Sequence, residues 1–330
     1  MVEKLTDEFS NILFTGGAHA VQTFFLISAW LLTYQVLLSF EHEKNLSMKT
    51  LGWILVNRYI RLTPPLAILL AIQCTLLVHT PKGPYWEHIV GEEYRNCRKN
   101  AWTNLLYINN HVNPSEMCMQ QTWYMAADTQ LFVLALLILA AMKKYKTNIT
   151  WILSISLVIG VSIPGILAFL NNYDILIRVY PEAMYDYLLS NEAWHVLYSS
   201  GYSNIGAYVI GIIFGYLYYT YRNVNLVTTK IHVVLYFLLS YGLSLGIISL
   251  AFPMYDLSYS YSNMESAIYW SSGKNIFSLA IAIGMFGMSQ KLGWFSLWLC
   301  RWKAVQVLGR LTYSAYLIHV FLLRLKIICY

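Results

Sequence analysis

The chain has 330 residues, 58% of them hydrophobic and 12% charged, with a mean hydropathy of +0.49. Soluble domains carry roughly 25% charged residues, so this composition excludes an ordinary water-soluble globular protein. The net charge of +6 is small and scattered; it leaves no footprint for nucleic acid and fits basic loops that face cytoplasm.

The apolar residues gather in blocks of about 20, the length a helix needs to cross roughly 30 Å of hydrocarbon. An all-α, polytopic transmembrane helix bundle is expected, with about eight spans in a single membrane domain over 1–330. The opening dozen residues, MVEKLTDEFSNI, have neither the basic nor the apolar region of a secretory signal peptide. Spans are then expected at 17–39, 60–79, 122–142, 150–170, 200–220, 231–252, 273–290 and 307–326, with Trp and Tyr at their ends. Gly206, Gly211, Gly215, Gly284 and Gly287 fall inside spans, where they serve plain packing or let helices approach closely.

The loops alternate in charge. Those at 40–59, 143–149, 221–230 and 291–306 are basic, whereas 80–121, 171–199 and 253–272 are longer and mix or favour acids. The positive-inside rule places the first set in the cytoplasm and the N-terminus outside or in a lumen. An outside N-terminus ahead of an even number of spans leads us to expect another helix before residue 1. Cys97 and Cys118, with 20 residues between them, both lie in the long outer loop. A disulfide is expected there, contributing roughly 3 kcal/mol through loop closure. Cys74 and Cys300 are expected to be free thiols. The sequons at Asn45 and Asn148 lie in loops placed inside and are expected to carry no glycan.

Several polar residues stand where lipid would disfavour them. Arg58 and Arg61, in RYIRLTPP, share one helix face at the cytoplasmic end of the second span. They either snorkel to headgroups or form a phosphate-binding notch, for which the planar guanidinium is suited. Asp128 lies about two turns into the third span from the outer side and needs a partner or a polar cavity. His19 and Gln22, at the leading edge of the first span, enter at a similar depth and could line an outer polar pocket with it. The last span carries Thr312, Tyr316 and His319 as a polar stripe. His319 suits either a general base or a hydrogen-bonded helix contact. Ranked by depth, these groups suggest a route across the bilayer from the arginine pair past His319 to Asp128. Walker, nucleophile-elbow, metal-spacing and Rossmann motifs do not occur in the sequence, and no metal is expected.

Four stretches in order resemble the acyltransferase 3 superfamily, and within it the animal nose resistant to fluoxetine-like branch. AVQTFFLISAWLL is similar to its Val-Asp-Thr-Phe-Phe-(x)-x-Ser-Gly signature, and RYIRLTPPLA to its Arg-Tyr-x-Arg-Leu-x-Pro segment. The stretch from Cys97 through Cys118 to TWYMAADTQLF resembles its paired-cysteine loop and Trp-Tyr-Leu-x-x-Asp-x-Gln segment. LTYSAYLIH resembles its closing Leu-Ser-Tyr-x-x-Tyr-Leu-x-His. The resemblance implies a bundle of about ten or more helices that moves acyl groups from acyl-CoA to an acceptor hydroxyl in or across the membrane. It implies phosphates held at Arg58 and Arg61, a histidine acting as base, and polar groups farther out that receive the acceptor. In this chain the candidates are His319, His19 and Asp128 for catalysis and Gln22, Ser28 and Tyr316 for the acceptor pocket, although His19 starts the helix that follows the family's histidine and is not its equivalent. Gln22 stands where the family has Asp, and Ala29 where it has Gly. The family's key histidine lies on a helix upstream of the signature, and the animal branch adds an extracellular N-terminal domain. Both are therefore expected to precede this chain. A membrane acyltransferase of the plasma membrane or endoplasmic reticulum is expected, with membrane lipid and acyl-CoA as partners. A non-catalytic lipid-binding or lipid-transporting relative is the alternative, and the sequence leaves the oligomeric state open.

Overall fold

The computed structural model describes residues 17–42, 48–80, 83, 86–177, 191–227, 229–255 and 259–328. Its elements are helices: α1 (Gly17–His42), α2 (Met48–Thr75), α3 (Glu92–Leu105), α4 (Trp123–Lys144), α5 (Ile149–Asn171), α6 (Ile205–Tyr221), α7 (Lys230–Phe237), α8 (Leu243–Ala251), α9 (Asn263–Ser289), α10 (Trp294–Arg301) and α11 (Lys303–Ile328). A π-helical stretch, Leu238–Gly242, joins α7 to α8. All eight expected spans are helical in the structure. Among the described residues, five helices are long and apolar enough to cross a membrane, or six if α9 and α10, bent by 79°, count as one span. Helix α6 has only 17 residues, and α11 carries Arg310, Thr312, His319 and Arg324 among its apolar residues. The chain is an integral membrane helical bundle.

Two expected starts move by ten residues or more, and one expected loop contains a helix. Helix α2 starts at Met48 rather than 60, so Arg58 lies inside the helix. Helix α9 starts at Asn263 rather than 273, where Ser262 and Glu265 form a reciprocal capping box. The basic segment 291–306 contains α10, and Gly293 adopts φ +70° at the bend before it, a left-handed conformation that glycine takes without steric cost.

The chain forms two compact units. The first comprises residues 1–46 and 131–298. In it α1 packs on α6, and α9 on α5. The sequence dictates the closeness of the α1–α6 pair. A Cβ on Gly211 would sit 2.6 Å from the Leu26 carbonyl oxygen and 2.7 Å from the Ala29 Cβ; one on Gly215 would meet Thr33 and the Trp30 carbonyl at 2.9 Å. Small residues therefore let the two backbones touch. Around that seam Leu26, Trp30, Ile210 and Ala282 form a buried cluster.

The second unit comprises 47–130 and 299–330. Its core joins Leu66, Leu69 and Leu70 of α2 to Cys97, Tyr107, Cys118, Met119, Met125 and Leu317. Cys97 and Cys118 are disulfide-bonded, as expected, and Cys74 and Cys300 are free. Asn148 is exposed ahead of α5, whereas Asn45 lies outside the described residues.

Gly211→Val is expected to cost about 2 kcal/mol or more by overpacking the α1–α6 seam. Its thermal midpoint in detergent should fall by several degrees. Gly309→Ala, where a Cβ meets nothing within 4 Å, should leave the midpoint unchanged or slightly raised.

Candidate functional site

Two groups of buried polar side chains stand out, one in each unit. In the first unit, His19 and Gln22 lie one turn apart on α1 and are 7% and 1% exposed. Gln22 Nε2 donates to Asn204 Oδ1 at 2.8 Å. The same oxygen receives Lys274 Nζ from α9 at 3.4 Å. Asn204 is itself held rigidly, its Nδ2 donating to the carbonyls of Tyr198 (3.0 Å) and Ser200 (2.8 Å). Lys274 also donates to the Leu197 carbonyl, and its ammonium lies 5.2 Å from the Trp270 ring and 5.4 Å from that of Tyr198. One turn beyond Lys274, Phe277 packs on the His19 ring, with centroids 5.6 Å apart. Farther along α1, Ser28 Oγ hydrogen-bonds the Tyr208 hydroxyl at 3.2 Å.

Asn204 and Lys274 escaped the reading of the sequence. The signal for Lys274 was present: a lysine at the start of an apolar run, SGKNIFSLAIAIG, is a functional candidate by default. Asn204 gave no comparable signal, because a neutral amide beside a span end is ordinary.

In the second unit Arg58 Nη2 bonds Asp128 Oδ2. This overturns the depth ranking, which put the two at opposite faces. Arg58 is ten residues into α2, about 15 Å along the axis at 1.5 Å per residue. Asp128 is five residues into α4. The disulfide loop packs on the leucines of α2 that follow Arg58, so α4 begins beside the middle of α2 and the two charges meet. Arg61 is exposed, while Arg58 is partly buried in the pair; their shared sequence face does not give them a shared environment.

The stripe on α11 is also divided. Thr312 donates back to the Leu308 carbonyl at 3.1 Å. The Tyr316 hydroxyl donates to the Gln121 carbonyl. His319 is exposed, its Nδ1 2.6 Å from the Tyr316 carbonyl oxygen. One turn and a half farther, Arg324 Nη1 lies 2.6 Å from Glu93 Oε1, a buried pair that sequence reading also missed. Glu93 Oε1 additionally accepts the Met119 N–H at 2.8 Å and stands 3.6 Å from Cys97 Sγ. Glu93, Cys97 and Cys118 are clustered metal-ligand types, but the two sulfurs are bonded to each other and the carboxylate to Arg324. At the surface of the same loop, the hydrogen bond from Lys99 holds the Glu116 carboxyl below its ordinary pKa.

Two outcomes are expected from these contacts. A double-mutant cycle on Arg58→Gln and Asp128→Asn should give a coupling of about 1–3 kcal/mol in thermal or denaturant unfolding. Iodoacetamide applied to the folded protein should modify Cys300, and Cys97 and Cys118 only after reduction, as read by peptide mass.

A family profile described as an acyltransferase domain, Acyl_transf_3, matches residues 4–325. The chain is similar to Nose resistant to fluoxetine protein 6 of Caenorhabditis elegans, at 26% identity over 96% of this chain and 40% of that protein. It thus spans about two fifths of the length of that relative. No solved structure matches it with significance. With the signature helix, the arginine segment, the paired cysteines and the closing histidine helix all in place, the chain belongs to the acyltransferase 3 family.

Proposed function

We propose that this protein is a membrane acyltransferase that moves an acyl group from an acyl-CoA to a hydroxyl-bearing acceptor in or across the plasma membrane or endoplasmic reticulum. The observation that carries this reading is the buried set of His19 and Gln22 on α1, Lys274 on α9 and Asn204 just ahead of α6, in a chain of this family. Polar groups in such a place cost free energy and are retained where chemistry needs them.

The reaction forms a bond from the acceptor oxygen to the thioester carbonyl carbon and breaks the carbon–sulfur bond. The hydroxyl proton passes to a histidine and then to the departing CoA thiolate, so CoA leaves as the thiol. His19 is the buried candidate for that base. His319 is the second: a proton on Nδ1, donated to the Tyr316 carbonyl, leaves the Nε2 lone pair for base chemistry. Arg61 supplies an exposed guanidinium for the phosphates of acyl-CoA, and Asp128 orients Arg58 beside it. Gln22 and Ser28 face the acceptor from α1.

A second reading, a lipid binder or transporter without turnover, is favoured by the amide of Gln22. It hydrogen-bonds Asn204 but cannot stabilise an imidazolium as a carboxylate does.

The test uses the full-length protein in vesicles with radiolabelled acyl-CoA, following release of CoA. An enzyme should lose 10²- to 10⁴-fold in turnover, on the order of a lost general base, in His19→Ala or His319→Ala. Arg61→Ala should raise the acyl-CoA KM roughly tenfold without moving the thermal midpoint. Acyl-CoA bound but not consumed by the unmodified protein would replace the enzyme reading with the second one.

A further inference from the structure

Lys274 is 7% exposed and sits on α9 in the apolar interior of the first unit. Among the described residues no carboxylate forms an ion pair with it; its hydrogen-bond partners are the Leu197 carbonyl and Asn204 Oδ1. An ammonium has three N–H donors, and these partners use two.

The atoms around it show a complementary deficit. Gln22 Oε1 and His19 Nδ1 are buried and make no hydrogen bond to any described residue. Gln22 commits its nitrogen to the same Asn204 oxygen that receives Lys274, so the Gln22 amide and the lysine are neighbours across one shared acceptor. His19 is one turn before Gln22 on α1, and its ring rests on Phe277, one turn after Lys274 on α9. One spare donor and two acceptor-capable atoms therefore lie on facing stretches of α1 and α9. Leaving a buried polar atom unsatisfied costs about 1–3 kcal/mol, so this arrangement asks for a group that both accepts and donates.

That requirement separates ligand classes. A carboxylate or phosphate accepts from Lys274 but presents a negative oxygen to the Gln22 carbonyl. A ketone or ester carbonyl accepts and donates nothing. An amine donates but competes with a cation. A hydroxyl accepts from the ammonium and donates to Gln22 Oε1 or His19 Nδ1, satisfying both sides. The surroundings are the faces of Trp270 and Tyr198 and the buried cluster of Ala168, Leu197 and Trp270, so the rest of the ligand must be apolar.

We infer that Lys274, positioned by Asn204 and flanked by Gln22 and His19, forms a buried subsite for the hydroxyl group of an amphiphile with an apolar body. Lys274 donates to the hydroxyl oxygen, and the α1 side chains accept its proton. The inference rests on the acyltransferase reading only in naming that hydroxyl as the acceptor; binding itself requires no turnover.

The test is photolabelling of the full-length protein in nanodiscs. The probe is a twelve-carbon alcohol with a diazirine near the hydroxyl, compared with its methyl ether and with the matching carboxylic acid. The alcohol should label peptides containing residues 19–22, 197–204 or 270–277 at least tenfold more than either analogue. Lys274→Met should abolish that preference. Gln22→Met, which removes only the amide, should weaken it and serves if Lys274→Met does not fold. Equal labelling by alcohol and ether, preference for the acid, or unchanged labelling in a folded Lys274→Met would each overturn the subsite. Selective alcohol labelling without CoA release would keep the subsite while defeating the enzyme reading. Unchanged turnover in a folded Lys274→Met would overturn the naming of that hydroxyl as the acceptor and leave the enzyme intact.

Discussion

Asn204 joins the buried polar groups of the first unit. Its carbonyl oxygen receives Gln22 from α1 and Lys274 from α9, and its amide nitrogen is spent on two backbone carbonyls of the segment just ahead of it. Removing this one amide would take the acceptor from Gln22 Nε2 and one of two acceptors from Lys274. In a low-dielectric medium such groups must be paired or removed. The positions of α1 and α9 around the start of α6 follow from satisfying that demand together with the small-residue seam at Gly211 and Gly215.

The second unit answers the same demand with charge. Glu93 collects Arg324 from α11 and the Met119 amide from the disulfide loop, while Arg58 and Asp128 neutralise each other between α2 and α4. The disulfide closes the loop that carries Met119 and delivers Asp128 to its arginine. Breaking either ion pair leaves an uncompensated charge, which is costlier than the pair itself is stabilising. These contacts hold α2, the loop, α4 and α11 in register, and they place the exposed His319 and Arg61 at the surface of a braced scaffold.

Gln22 acquires meaning beside Lys274. A carboxylate there would neutralise the lysine through an ion pair. The amide instead shares an acceptor with it, leaving one lysine donor and one amide oxygen for something else.

By itself the sequence determined the helical class, the membrane setting, the family, the disulfide and most of the long helices, but not α3 or α10, which lie in segments read as loops. Hydrophobic block length, loop charge and cysteine placement are local quantities that survive without a third dimension. It also marked His19, Gln22, Arg58, Asp128 and His319 as out of place in lipid. Which of these meet was not legible. Spacing along one helix reports a shared face but not what faces it, and depth counted from a loop fails when a loop packs beside a helix rather than beyond it. Only the tertiary structure joined Arg58 to Asp128, buried Glu93 against Arg324, turned His319 outward and set Lys274 beside Gln22, because each of those pairings depends on how helices distant in sequence pack side by side.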